Sequence, residues 1–261
     1  MNLIAIDIGN TNITLALYLD NEEKQIDTLP GTDTEKLGNI LKKYWEQIPV
    51  LETSKEKKRN GVLIVSSVRP GWTKIVEGLA KDLLSEKIKL IGRDIPLPID
   101  AWVDEPDKIG TDRLLSAAAA YAVAQQAVVV ADFGTALTID MVDDNGIFQG
   151  GVIIPGFAVS SKALSDNTAL LPETSVKKPE EPYGKNTAEA INNGLYFAAV
   201  GALQEVIRRF AEKHGTWPQT VITGSAAKII KDDCDFIDNY VTDLVVKGIA
   251  LAYVKYVEGK Q

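Results

Sequence analysis

Histidine and cysteine are nearly missing from this chain of 261 residues, which has one of each, His214 and Cys234. A lone cysteine excludes an intramolecular disulfide framework and a zinc site built from several thiolates. A lone histidine excludes any triad or metal site that needs two. Positive charge is also in deficit: 28 Lys+Arg stand against 36 Asp+Glu, a net charge of −8. Such a surface repels polyanions, so neither nucleic acid nor an anionic membrane is expected as the main partner. No apolar run approaches the roughly 20 residues of a membrane span, and Asp7 interrupts the first one too early for a signal-peptide core. The chain therefore reads as cytoplasmic. Any catalysis has to rest on carboxylates, hydroxyls, backbone amides and a bound metal. His214, in Glu212-Lys213-His214-Gly215, reads as exposed. Cys234, between Asp233 and Asp235, has no basic neighbour to activate it and reads as inert.

What is present is an ordinary globular composition, 45% hydrophobic and 25% charged, enough for one large domain or two of about 130 residues. Residues 3–6 form an apolar run that leads into Asp7-Ile8-Gly9-Asn10-Thr11-Asn12 and then alternating Ile13, Leu15 and Leu17. That pattern predicts two strands about a tight polar turn, with a further hairpin turn at 20–23. Helical spacing marks 34–48 and 72–84, the latter with Ile75, Leu79 and Leu83 on one face; strands are expected at 61–67 and 88–91. Residues 55–60 read as a charged, solvated loop, and 92–108, with Pro96, Pro98 and Pro106, as a connecting loop. An alanine-rich helix follows over 111–126, capped by Thr111 or Asp112, with a narrow apolar stripe of Leu114, Leu115, Ala118, Ala119 and Ala122.

The pattern then starts again. A strand at 127–131 runs into Asp132-Phe133-Gly134-Thr135, an alternating strand, a hairpin turn at 143–146 and a third strand at 150–155. Helices at 187–210 and 243–257 and a strand at 220–222 complete the chain. Two Asp-x-Gly turns nearly half a chain apart make an internal repeat. The expected fold is α/β: two copies of a three-stranded meander with added strand–helix units, facing one another across a cleft.

In the first turn, Asp7 at a strand end suits a metal-bound phosphate. Gly9 lets the backbone approach, and Asn10 and Thr11 offer short donors. Taken alone it is a polar hairpin turn. Asp132-Phe133-Gly134-Thr135, with Thr138, repeats the design, and two such turns can clamp one triphosphate between them. Neither carries the Gly-Lys-Ser/Thr of a Walker loop. Asp132 offers the carboxylate oxygens that hard cations prefer. Thr223-Gly224-Ser225, at a strand–helix junction, leaves room for a flat base, although a plain tight turn explains it nearly as well. In Gly110-Thr111-Asp112-Arg113, capping explains an acid at a helix start but not the adjacent arginine. The functional alternative makes Asp112 the base on a substrate hydroxyl and Arg113 the grip on a substrate carboxylate.

In order, Asp7-Ile8-Gly9-Asn10-Thr11, Ser66-Ser67-Val68, Gly110-Thr111-Asp112-Arg113, Asp132-Phe133-Gly134-Thr135, Gly150-Gly151 with Pro155-Gly156, Gly184-Lys185-Asn186-Thr187 and Thr223-Gly224 resemble type III pantothenate kinase. The resemblance runs from residue 3 to about 250 and rests on the order and spacing of the motifs. It implies the acetate and sugar kinase, heat-shock protein and actin superfamily: two ribonuclease-H-like (actin-like ATPase) domains around a nucleotide cleft, here 1–113 and 114–261. It further implies ATP with Mg2+, a monovalent cation (K+ or NH4+), pantothenate as substrate and a homodimer. Residue by residue, Asp7, Ile8, Gly9, Asn10, Thr11, Asn12, Ile13 and Thr14 would form the first phosphate segment, with Asp7 near magnesium. Asp132 would hold the monovalent cation, Thr135 would contact ATP, and Gly224 would lie at the base. Gly110, Thr111, Asp112 and Arg113 would bind pantothenate, with Asp112 as catalytic base, and Thr187 would touch it too.

Two departures stand out. Val103 occupies a position where the family often carries tyrosine, removing a hydrogen bond of a kind typically worth about 0.5–1.5 kcal/mol. Ser225 replaces the second glycine of the usual Thr-Gly-Gly base turn. Two rival readings share the scaffold: a non-catalytic regulatory protein, and a kinase for another small molecule. Retention of both Asp-x-Gly turns and of the Asp112-Arg113 pair weighs against the first. A chain short for the superfamily's sugar kinases weighs against the second.

Overall fold

The alternation read in the first thirty residues folds as a meander. Strands β1 (Leu3–Ile8), β2 (Asn12–Leu19) and β3 (Glu22–Pro30) pair antiparallel in sequence. Asp20 and Asn21, at φ 54° and 70°, make the β2–β3 turn; paired positive φ values match the right-handed twist of a hairpin and suit Asn and Asp. The structure, a computed structural model, describes residues 1–51, 58–232 and 234–259. Within them the chain divides into two compact units, one of residues 1–98, 107–119 and 245–261, the other of residues 99–106 and 120–244. This differs from the expected division after residue 113: the closing helix belongs with the first unit, and a short piece of the 92–108 segment with the second.

In the first unit, β4 (Val62–Ser67) and β5 (Ile88–Leu90) extend the meander in parallel, giving the order β3-β2-β1-β4-β5. Helices α1 (Thr34–Gln47) and α2 (Pro70–Leu84) cover one face, where Leu37, Leu41, Tyr44 and Val76 pack on Ile4, Ile6 and Ile8. Helix α1 is capped by Asp33, which accepts from the Lys36 amide at 3.1 Å. Helix α2 starts earlier than its apolar spacing implied, because Pro70 at its first position has φ already set for a helix. Its buried residues are Val76 and Ala80; of the expected stripe, Leu79 packs partly buried on this core, whereas Ile75 and Leu83 are exposed. The Tyr44 hydroxyl donates to Asp27 at 2.8 Å; burial, reinforced by that carboxylate, pushes the phenol above its ordinary pKa.

The other face of this sheet meets α3 (Thr111–Ala124) and α6 (Leu244–Glu258) through Leu115, Val246, Ile249 and Ala252 packed on Leu3, Ala5 and Ile64. In α3 the burial runs continuously from Leu114 to Ala120 while Ala122 is exposed. It is a belt of small residues rather than the narrow stripe expected. Gly248 brings α6 onto it: a Cβ there would lie 2.3 Å from the Leu115 carbonyl oxygen. Gly248→Ala is therefore expected to destabilise the protein by about 1–3 kcal/mol, checked by thermal denaturation.

The second unit repeats the plan. Strands β7 (Val128–Phe133), β8 (Ala136–Val142) and β9 (Ile147–Pro155) form the antiparallel meander, and β10 (Gln219–Thr223) and β11 (Asn239–Tyr240) add in parallel. The order is β11-β10-β7-β8-β9-β6, with the two-residue β6 (Asp100–Ala101) pairing with β9 from within the segment expected to be an irregular connection. Helix α4 (Phe157–Asp166) was not legible in the sequence; it is short, begins at Gly156 without a side-chain cap and buries only Ser161. Helix α5 (Thr187–His214) packs Tyr196, Leu203 and Ile207 on the sheet.

Of the charged loop expected at 55–60, residues 55–57 lie outside the described residues. Arg59 is tied down by donating to the Glu46 and Ile48 carbonyls. His214 is exposed and Cys234 buried, and no described helix is long and apolar enough to cross a membrane.

Candidate functional site

Strand alternation places the polar groups of the first unit. Strand β1 sends Ile4, Ile6 and Ile8 to the α1/α2 core and Leu3 and Ala5 to the α3/α6 side, so Asp7 belongs to that second face. Its register neighbours are Thr14 on β2 and Ser66 on β4. Thr14 shares a hydrogen bond with Thr28, oxygen to oxygen 3.0 Å. Ser66, 1% exposed, shares one of 2.8 Å with Thr111 at the start of α3. The sheet thus carries a polar row, Thr28–Thr14–Asp7–Ser66, that leads directly to the helix holding Asp112. Open α/β sheets bind ligands at such carboxyl ends of their strands.

The turn beyond Asp7 is closed by Gly9 N donating to the Asn12 carbonyl at 3.0 Å and by Gly31 N donating to the Thr11 carbonyl at 3.1 Å. Asn10 and Thr11 are exposed. Ile8 and Ile13 are buried in the core, so of these two predicted ligand residues only the backbone is left for a phosphate. Helix α3 begins at Thr111, which puts Thr111 and Asp112 in its first turn rather than at the cap. The Asp112 carboxylate folds back: Oδ1 accepts from the Arg113 amide at 2.9 Å and would lie 2.4 Å from a Cβ on residue 110. Only glycine fits at 110 without moving that carboxylate. The partial positive charge of the helix start favours an anion at this end.

In the second unit Asp132 pairs with Thr138 on β8 and Thr223 on β10, the counterpart of the Asp7 row. Gly134 N donates to the Ala136 carbonyl at 3.1 Å, and Gly156 N to the Thr135 carbonyl at 3.0 Å; Gly134 and Thr135 are exposed. Gly224 has φ +93°, and a Cβ on it would lie 2.3 Å from Asp132 Oδ1 and 2.7 Å from the Phe133 backbone. The base turn therefore sits directly on the cation-holding candidate, and glycine is required by both conformation and space. Ser225 is exposed and does not fill that space. Phe133, Phe157 and Ala226 border an apolar recess of this unit.

Thr187 opens α5 and is exposed. The segment before it is first a helix-start device: Asn186 Oδ1 accepts from the Glu189 amide at 2.9 Å, and Glu189 Oε2 accepts from the Lys185 amide at 2.7 Å. Val103 packs beside Gly150, 3.7 Å from where a Cβ would stand. Two residues escaped the sequence reading. Asp140, 2% exposed, stands opposite Gly151; its place two residues after Thr138 on an alternating strand was the available signal. Arg69 donates to the Asn10 carbonyl at 2.6 Å, and no local pattern announced it. A strongly shifted carboxylate lies elsewhere: hydrogen bonds from Arg208 and Arg209 hold Glu205 down to about 2. That network lies on the exposed side of α5 and is an ordinary helix-surface ion cluster.

Among the described residues no three His, Cys, Asp or Glu side chains gather as a metal cage. A magnesium ion carried by phosphates needs only one or two protein carboxylates. Asp7, with adjoining hydroxyls and an open glycine turn, fits that need.

The pattern of the type III pantothenate kinase family matches residues 3–209. A type III pantothenate kinase of Agathobacter rectalis is 34% identical over 97% of this chain and 97% of its own. Two solved structures share the fold. A Campylobacter jejuni protein named for the Baf family of transcriptional activators has TM-score 0.60 at 19% identity, covering 98% of each chain. A Sinorhizobium meliloti protein named for a 2-dehydro-3-deoxygalactonokinase has TM-score 0.55 at 12% identity, covering 97% of this chain and 98% of its own. The family pattern over residues 3–209 and the similarity along nearly the whole chain lead to one conclusion: the chain belongs to the type III pantothenate kinase family.

Proposed function

We propose that this protein transfers the γ-phosphoryl group of ATP to the primary hydroxyl of pantothenate, the entry step to coenzyme A. The observation that carries the reading is the polar row of the first unit, where the Ser66–Thr111 hydrogen bond joins the Asp7 strand end to the helix turn that presents Asp112. Asp112 accepts the proton of the hydroxyl and orients it, and Arg113 holds the pantothenate carboxylate as a bidentate partner. Gly110 and Thr111 also bind pantothenate, as does Thr187. The backbone of the Asp7–Thr14 segment binds the phosphates, Thr135 contacts ATP, and the Gly224 turn lies at the base. Asp7 holds magnesium, which when bound with the nucleotide spreads the charge of the phosphoryl group. Asp132 holds the monovalent cation, K+ or NH4+. Positioning and fixed charge supply most of the rate, as expected for phosphoryl transfer. Two copies of the chain associate, and the protein works in the cytoplasm.

The test is a coupled ATP-consumption assay against pantothenate and a panel of sugars, with and without potassium. Phosphopantothenate formation that falls when potassium is replaced by sodium is the expected result. Turnover of a sugar in preference to pantothenate would overturn the assignment.

A further inference from the structure

The first phosphate turn has a cation fastened to it that none of these roles uses. Residues 7–14 contain no lysine or arginine, so the turn itself offers only neutral donors to a polyanion. Arg69, two residues past β4 and at the cap position of α2, fills that gap. Its Nη1 donates to the Asn10 carbonyl at 2.6 Å, and its guanidinium carbon lies 4.1 Å from the centre of the Trp72 ring. The Trp72 ring in turn lies flush on Gly31: a Cβ there would be 1.8 Å from it. Gly31 N closes the circuit by donating to the Thr11 carbonyl. The loop that carries Arg69 is itself fixed, since its amide donates to Ser67 Oγ at 3.0 Å and Thr73 Oγ1 donates to the same oxygen at 2.7 Å. Among the described residues no carboxylate bonds to Arg69, and it is exposed.

A guanidinium has five donors in a rigid fork. One is given to Asn10; the stacking on Trp72 fixes the plane of the rest, so little further ordering is needed to meet a phosphate. We propose that Arg69 is a nucleotide-phosphate residue of this chain. It holds the Asn10 carbonyl so that the turn keeps its open form, and it supplies the positive charge that the turn lacks. A surface arginine stacked on tryptophan purely for stability would need no contact with this particular carbonyl. The proposal rests on the nucleotide reading of the Asp7–Thr14 segment given above.

The experiment compares binding of magnesium with a non-hydrolysable ATP analogue, and of AMP, by calorimetry on the wild type, Arg69→Gln and Arg69→Lys. Arg69→Gln is expected to weaken the triphosphate about 10- to 100-fold, the weight of a hydrogen bond to a charged group, while AMP binding is unchanged. Arg69→Lys should recover part of the loss, and in turnover the KM for ATP should rise with the KM for pantothenate unmoved. Unchanged triphosphate affinity, equal losses for triphosphate and AMP, or a rise confined to the pantothenate KM would each overturn it. If Arg69→Gln does not fold, Arg69→Lys and Trp72→Phe decide by the same ratio of triphosphate to AMP affinity. A wild type that binds the analogue through Arg69 yet leaves pantothenate untouched would defeat the proposed function and not this inference.

Discussion

Asp112→Asn is expected to lower the turnover number about 100- to 10,000-fold, the usual weight of a positioned general base, with little change in the KM for ATP. The substitution is close to isosteric, and an amide oxygen can still accept from the Arg113 amide that the carboxylate now engages at 2.9 Å. The helix start is therefore retained and only the capacity to take a proton is lost. Thermal denaturation of the variant should match the parent, which separates loss of chemistry from loss of fold. Turnover near the parent's would remove Asp112 from the base role and leave the hydroxyl proton to solvent or to the phosphate itself.

The second large effect falls in the other unit. Gly224→Ala places a Cβ 2.3 Å from Asp132 Oδ1 and 2.7 Å from the Phe133 backbone, in a residue whose φ is +93°. The backbone cannot retreat, because Ala226 N is bonded to the Phe133 carbonyl at 3.1 Å. Two costs add: a left-handed conformation forced on an L side chain, about 1–2 kcal/mol, and overpacking, about 1–3 kcal/mol. A melting temperature lowered by several degrees is expected, together with weaker ATP binding and loss of any stimulation by potassium, since the displaced carboxylate is the one proposed to hold that ion. Ser225→Ala, at an exposed neighbour, is the control and should change neither. If Gly224→Ala kept the parent's melting point and potassium response, Asp132 would not be the cation's ligand.

Much of the site was legible because strand periodicity is local. Asp7 and Asp132 each follow an apolar run and open an Asp-x-Gly turn, a local pattern that by itself puts each acid at a strand end and in a repeated plan. The glycines of both turns were legible for the same reason: they sit where the chain reverses. What escaped depends on partners distant in sequence. Ile8 and Ile13 belong to a phosphate segment by motif, yet both side chains are core. Gly184-Lys185-Asn186-Thr187 matched a functional motif, but its hydrogen bonds serve the start of α5. Helix α4, with no cap and almost no buried face, left no periodic trace.

By itself the sequence determined the two meanders, the polar turns at residues 7 and 132, and the exclusion of any site that needs two histidines or two cysteines. Alternation, glycine conformation and composition act over a few residues and need no partner to be read. Only the tertiary structure decided that the closing helix packs on the first sheet, that Ser66 meets Thr111, and that Trp72 lies against Gly31 while holding Arg69 over the Asn10 carbonyl. Those outcomes depend on side-chain volume and close approach between segments far apart in the chain, and no local pattern encodes which surfaces meet.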